Sequence, residues 1–376
     1  MSAASIERTI RFLFLGNPDH DRRIQNFQSF FRSKGWKTEI VCGVSTTIHH
    51  TLEGVVALSL EQQSGPLRFY NYHRKLSAYL GSTPAARLTL ACDLYSLLAA
   101  TQAKRGAVLY DCREIYTQLP TVEGKFSSRV WKKIEAAGLI NSDLVILTAP
   151  RDVNALLEVH SFIPKSSVVR NIPLRAESAV APVDLRSRVS ISAEKKILMY
   201  LGGLQQDRGL ERIVKVLPSL DPAIVLVLVG EGALRSKLEA MVAEAQLEHR
   251  IFFYGAVAAE HAIGVLRSAD VGISLIEQRS GSYKLALPSK VFEYLYAGLP
   301  VVSSELIAVQ DIAAATKNIF FADEHSDRSI VGAIEQAIQC SSAMHAKESI
   351  SEEAQATFSF EHDAEELYAA VERITR

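Results

Sequence analysis

Lys196-Ile197-Leu198-Met199-Tyr200-Leu201 runs directly into Gly202-Gly203-Leu204-Gln205-Gln206-Asp207-Arg208-Gly209, and the reading of this junction decides the fold. A short run of large apolar side chains cut off by glycine reads as a strand buried on both faces. Adjacent glycines let backbone approach a ligand closely, and a cation at a helix start can meet a phosphate. Taken alone, the glycine pair is weak evidence and more often only a tight connection. It is not the dinucleotide fingerprint, since no third glycine follows at the required spacing, which disfavours a nicotinamide dehydrogenase.

Working outward, the same alternation of apolar run and helical pattern recurs. Downstream, the strand candidates are Ile224–Val229, Ile251–Tyr254, Val271–Leu275, Val301–Ser303 and Ile319–Phe321. Upstream they are Ile10–Leu15, Thr38–Cys42, Val55–Leu58, Ala107–Tyr110, Leu144–Thr148 and Ser167–Arg170, with helical spacing over Arg22–Lys34, Ala85–Lys104 and Ser127–Leu139. Such alternation predicts parallel sheets covered by helices, here two doubly wound, Rossmann-like α/β domains facing one another. The expected division is a first Rossmann-like domain over 1–172, a linker over 173–193 and a second Rossmann-like domain over 194–355. A C-terminal helix over 356–376 is expected to pack back toward the first domain.

The chain has 376 residues, 48% hydrophobic and 22% charged, the composition of a globular enzyme. Apolar runs such as Ala223–Val229 fall far short of the roughly 20 residues that span a bilayer. The cysteines, Cys42, Cys92, Cys112 and Cys340, have neither zinc nor disulfide spacing, which fits a cytoplasmic protein. Residues 1–185 carry 22 Lys and Arg against 16 Asp and Glu, while residues 186–376 carry 19 against 26. A basic first half can face an anionic partner, yet no dense basic stripe marks a nucleic-acid module.

The segment Leu287-Pro288-Ser289-Lys290-Val291-Phe292-Glu293-Tyr294-Leu295-Tyr296-Ala297-Gly298-Leu299-Pro300-Val301-Val302 carries the sharpest signal. Pro288 suits a first helical turn, and Gly298 with Pro300 ends the helix before a strand. Lys290 and Glu293 share one face near its start, either as a surface ion pair or with Lys290 on phosphate and Glu293 on ribose.

Together with Gly202–Gly209 and Gly230-Glu231-Gly232, this segment resembles the donor half of GT-B glycosyltransferases, in particular the retaining family 4. Weaker likeness extends through Asp21-Arg22-Arg23-Ile24, Val108–Tyr116 and Val169-Arg170-Asn171-Ile172-Pro173. The resemblance implies that Gly202, Gly203, Arg208, Gly230, Ser289 and Lys290 hold a nucleotide diphosphate, and Glu293 the ribose. It implies transfer from a nucleotide-diphosphate sugar to a glycan or lipid-linked acceptor, with retention and without a metal. Surface polysaccharide synthesis is the expected setting. A nucleotide-sugar epimerase or a catalytically silent binding subunit are the rival readings.

Three departures from the family pattern matter. Leu285 stands where an acidic residue is common, leaving sugar hydroxyls to backbone around Tyr283–Leu287 or to Lys284. Gly203 replaces a frequent arginine, and Arg113 replaces a frequent histidine. A guanidinium cannot act as a base, so Arg113 either stabilises charge in catalysis, alongside Arg208 and Lys290, or pairs structurally near Glu114.

Asp19-His20-Asp21 spells an acidic triplet that can bind metal, but at a probable helix start its aspartates read better as caps. His49-His50 lacks other ligand types nearby. The phenylalanines at helical spacing in Arg22–Trp36 read as core. The aromatic and basic mixture of Leu67–Leu80 reads either as core or as a surface giving peripheral contact with the inner face of a membrane.

Overall fold

The computed structural model describes residues 8–45, 52–60, 65–119 and 122–375. His49 and His50 lie outside them. The chain divides into two compact units, Met1–Arg170 with Glu361–Arg376, and Asn171–Phe360.

Among the described residues the first unit has seven parallel strands: β1 (Thr9–Phe14), β2 (Lys37–Val44), β3 (Val55–Ser59), β4 (Leu88–Ala91), β5 (Ala107–Cys112), β6 (Leu144–Leu147) and β7 (Ser166–Val168). Their order is β3-β2-β1-β4-β5-β6-β7. The chain winds outward from β1 to β3 and then returns to the other side of β1, making a topological switch at the carboxyl ends of β1 and β4. Helix Arg22–Ser33 starts where the Asp21 carboxylate accepts from the Ile24 N–H at 2.9 Å. Such a cap stabilises by about 1 kcal/mol. The helix buries Phe27, Phe30 and Phe31 on the sheet, as its spacing predicts.

The stretch Ala85–Lys104 is not one helix. It is the central strand β4, then helix Leu94–Ala103 capped by Asp93, whose carboxylate accepts from the Ser96 N–H at 2.7 Å. A four-residue strand abutting an apolar helix leaves no change of period to detect.

Helix Phe360–Ile374 follows the second unit in sequence but, from Glu361 onward, belongs to the first. Arg170 donates to the buried Asp363 carboxylate through Nη2 (2.6 Å), Nε (2.9 Å) and its backbone N–H (3.0 Å). Farther along, Glu365 pairs with Lys34 and Glu372 with Arg8, while the Tyr368 ring meets Phe30 edge-on at 6.0 Å.

The second unit has six parallel strands: β8 (Lys196–Leu201), β9 (Ile224–Val229), β10 (Ile251–Gly255), β11 (Val271–Ser274), β12 (Val301–Ser304) and β13 (Ile319–Ala322). Their order is β10-β9-β8-β11-β12-β13, which puts a second switch at β8 and β11. All six coincide with the apolar runs picked out in the sequence to within one residue. The stretch expected as a linker instead packs into this unit. Leu185 and Ile191 are buried, and the Val183 N–H donates to the Gly264 carbonyl at 3.0 Å.

Candidate functional site

The switch at β8 and β11 brings three loops together. Leu201 pairs in register with Val229, so Gly202 and Gly230 leave neighbouring strands side by side. The Gly202 N–H continues the ladder to the Val229 carbonyl at 2.8 Å. Gly230 has φ +141°, and a Cβ there would stand 2.0 Å from the Gly202 carbonyl oxygen. Only glycine permits this approach.

The third component is helix Ser289–Tyr296, anchored from beneath by Tyr294. Its hydroxyl accepts from the Leu201 N–H at 3.0 Å and donates to the Ile273 carbonyl at 3.1 Å. The buried Tyr294 ring occupies the space that a side chain on Gly272 of β11 would fill. So held, the helix lays Lys290 across Gly202. A Cβ on Gly202, whose φ is +137°, would be 2.6 Å from Lys290 Cε and 2.9 Å from Nζ. The ammonium also lies 5.3 Å from the centroid of the Tyr200 ring, and the Tyr200 hydroxyl donates to the Gly203 carbonyl at 2.9 Å.

Electrostatics reinforce this geometry. Burial, then the charge of Arg208, push the Lys290 ammonium down to about 8, and Glu293 on the same helix face only partly opposes them. Arg208 stacks over the Tyr283 ring at 5.4 Å. Pro288 stands at the helix start without a side-chain acceptor, and the Val291 N–H turns back to its carbonyl at 3.1 Å. Two cations, a bared glycine backbone and a helix start thus converge on one place. That arrangement can hold a group with several negative charges.

Residues 184–357 match the family described as glycosyl transferases group 1. Among curated relatives, the putative colanic acid biosynthesis glycosyl transferase WcaI of Escherichia coli is 27% identical over 175 residues, 44% of this chain and 41% of that protein. The chitobiosyldiphosphodolichol beta-mannosyltransferase of Candida albicans is 30% identical over 108 residues, 28% of this chain and 23% of that one. The matches thus span less than half of these relatives. Whole-chain likeness is to solved structures. Sucrose-phosphate synthase from Thermosynechococcus elongatus superposes with TM-score 0.78 at 19% identity, covering 97% of this chain and 99% of that one. Anabaena Alr3699/HepE, solved in complex with UDP and glucose, gives 0.75 at 15% identity, covering 98% and 100%. This chain's two Rossmann-like units accordingly match those of GT-B structures.

Within residues 184–357, Gly202, Gly203, Arg208, Ser289, Lys290 and Glu293 lie on the loops and helix that the switch joins, and Gly230 closes the loop behind Gly202. Lys284 is exposed at the last position of helix Gly281–Lys284. Tyr294, Gly272 and Tyr200 were given no role from the sequence, and Tyr283 was named there for its backbone and not for its ring. The glycine inside β11 was the available signal, since glycine within a strand marks a close approach.

In the first unit Arg113 follows β5 and is held on two sides. Its Nε donates to Asp111 at 2.8 Å, and Nη1 pairs with Asp21. Arg23 grips the same Asp111 carboxylate, with Nη2 at 2.7 Å. These partners, rather than the neighbourhood of Glu114, fix Arg113. Burial alone would lower its basicity, but Asp21 and Asp111 hold the guanidinium well above its ordinary value. Buried Nη2 has no hydrogen-bond partner among the described residues. Of the acidic triplet, Asp21 caps a helix and binds Arg113, while Asp19 accepts from the Leu52 N–H at 3.3 Å.

Proposed function

We propose that the chain transfers a sugar from a nucleotide-diphosphate sugar to a glycan or lipid-linked acceptor, with retention of anomeric configuration, in the synthesis of a surface polysaccharide. The observation that carries this reading is the enforced nearness of Lys290 to Gly202 in the field of Arg208. Burial, and after it the charge of Arg208, disfavours the Lys290 ammonium, and the charge of a diphosphate would favour it. Arg208, Lys290 and the N–H groups of Gly203 and Ser289 take the phosphates, Gly202 lets them pass close to its backbone, and Glu293 takes the ribose. Lys284 and backbone at 283–287 face the sugar. As the bond from the anomeric carbon to the phosphate oxygen breaks, charge grows on the departing diphosphate, and the two cations stabilise it more than the bound donor. Retention places the acceptor hydroxyl on the leaving-group face, where a phosphate oxygen takes its proton.

Arg113 enters through Nη2 alone, since its other N–H groups are committed to carboxylates. No metal is required in this scheme, as fixed cations do the neutralising. Sequence relatives named as glycosyl or mannosyl transferases, and the Alr3699/HepE complex with UDP, support the donor class.

The test is calorimetric binding of UDP, GDP, ADP and dTDP against their nucleosides, followed by nucleotide release from the matching sugar. One diphosphate should bind selectively, and release should require an acceptor. Interconversion of the donor sugar without release would instead identify an epimerase.

A further inference from the structure

Three helices cover one face of the first sheet near the carboxyl ends of β3, β4 and β5, and two of them carry a surface that the sugar-transfer reading leaves unused. On helix Phe126–Asn141, the inward side packs Gly138 against Leu97 and buries Leu139. Its opposite side repeats at helical spacing through Phe126, Val130, Lys133, Ala137 and Ile140, all exposed. Phe126 and Ile140, at the two ends of this stripe, are 78% and 67% exposed, unusual for side chains so large and apolar. Helix Gly65–Ser82 adds Leu67 and Tyr70, 58% and 64% exposed.

Between the two helices, over the start of helix Leu94–Ala103, lies an apolar groove of about 190 Å³ lined by Phe69, His73, Tyr95, Leu98, Trp131 and Ile134. The Phe69 and Tyr95 rings stack at 4.4 Å, with Trp131 edge-on to both. Burial lowers the His73 imidazole from its ordinary value, and the other five side chains of this lining carry no charge. Its volume is comparable with the dry apolar cavities of about 150 Å³ that take a benzene.

Charge selects the occupant. The two helices carry Arg68, Arg74, Lys75, Arg129, Lys132 and Lys133, and helix Leu94–Ala103 carries no charge. The single carboxylate of the three, Glu135, is fully buried, accepting from the Tyr110 hydroxyl and bonded to His160, both at 2.8 Å. A symmetric contact between two copies would oppose six cations to six cations. Nucleic acid would match the charge but would leave Phe126, Ile140, Leu67 and Tyr70 unburied. An interface with hydrocarbon below and phosphates above satisfies both.

We propose that helices Gly65–Ser82 and Phe126–Asn141 dock the chain on an anionic phospholipid bilayer, with the groove between them taking hydrocarbon. This extends the lipid-linked acceptor of the reading above to the surface in which such an acceptor would sit, but it stands on other residues. The test is sedimentation of the full chain with phosphatidylcholine vesicles and with mixed phosphatidylcholine–phosphatidylglycerol vesicles. Binding should be confined to the anionic vesicles and be lost near 1 M salt, where the screening length is about 3 Å. A combined Arg129→Gln, Lys132→Gln, Lys133→Gln variant should bind more than tenfold more weakly, since each cation is worth roughly fivefold at such a surface. Phe126→Ser with Ile140→Ser should weaken binding to a similar degree while the thermal midpoint and diphosphate binding stay as in the wild type.

A wild type that remains in the supernatant, binds neutral vesicles equally, or binds no better than both variants overturns the proposal. So does a concentration-dependent dimer, without vesicle binding, that Phe126→Ser dissolves, because the face is then a contact between copies. Vesicle binding without diphosphate binding would sink the sugar-transfer reading and leave this one standing.

Discussion

Lys290 lies so close over Gly202 that a single methyl group on the glycine would meet Cε at 2.6 Å, although 88 residues separate them in sequence. Gly202→Ala must therefore strain a backbone at φ +137° or push the ammonium aside. Diphosphate affinity should fall about tenfold or more, the worth of one charge-assisted contact at about 1.5–3 kcal/mol. Nucleoside affinity should barely change. In a Lys290→Met background the alanine should cost less, and a double-mutant cycle by calorimetry measures that coupling. Strict additivity would mean the contact is irrelevant to binding.

Lys290 gives the site a pH signature. Its value falls from 10.5 to about 8 through burial and then Arg208. Diphosphate binding should therefore weaken as pH rises through about 8, and near that pH it should draw in a proton, visible as buffer-dependent binding heats. Lys290→Arg, permanently charged, should flatten the profile. The stability sign is opposite. Between about 8 and 10.5 the unfolded chain binds more protons, so this group's cost to folding fades as pH rises.

Glu293 has a probe of its own. Against a diphosphate lacking the ribose hydroxyls, wild type should discriminate by tenfold or more, whereas Glu293→Gln should bind both alike. Its charge also supports the lysine, so the Lys290 midpoint should drop below about 8 in this variant. Undiminished discrimination would remove Glu293 from the ribose.

Arg113 separates two roles cleanly. Arg113→Ala strips one charged partner from Asp111 and one from Asp21, and should cost roughly 1.5–3 kcal/mol of stability. If Nη2 also meets developing charge, kcat per folded molecule falls while donor Kd holds, and Arg113→Lys restores part of it. A drop in thermal midpoint with unchanged kcat would leave Arg113 as a scaffold residue.

Chelation offers the fifth check. With Asp21 engaged in capping and in its pair with Arg113, transfer should proceed in EDTA. Dependence on Mg²⁺ or Mn²⁺ that disappears in Asp19→Asn would overturn the scheme.

The second sheet was legible because each of its strands is a short apolar run bounded by turns or polar residues, as in Ile224–Val229 before Gly230. In the first sheet, β4 dissolved into the apolar helix behind it, and Asp93 with Ser96 was the local clue. The helix bearing Lys290 and Glu293 was readable from Pro288 and Gly298. Its closure onto Gly202 was not, because that depends on Tyr294 reaching Leu201, 93 positions away, across a glycine. Arg113 shows the same limit. Nothing local links it to Asp21, 92 residues earlier.

The C-terminal helix makes the gene order and the fold order differ. A ribosome that has finished Arg170 has made seven strands but not the segment whose Tyr368 covers Phe30 and whose Asp363 receives Arg170. The 190 residues of the second unit must be synthesised first, a delay of about 10–40 s at roughly 5–20 residues per second. During that interval the second unit can fold and the first cannot finish. Nascent chains should accordingly show late protease resistance in residues 8–170, and a chain stopped at 360 should yield a sound second unit attached to an unfinished first one.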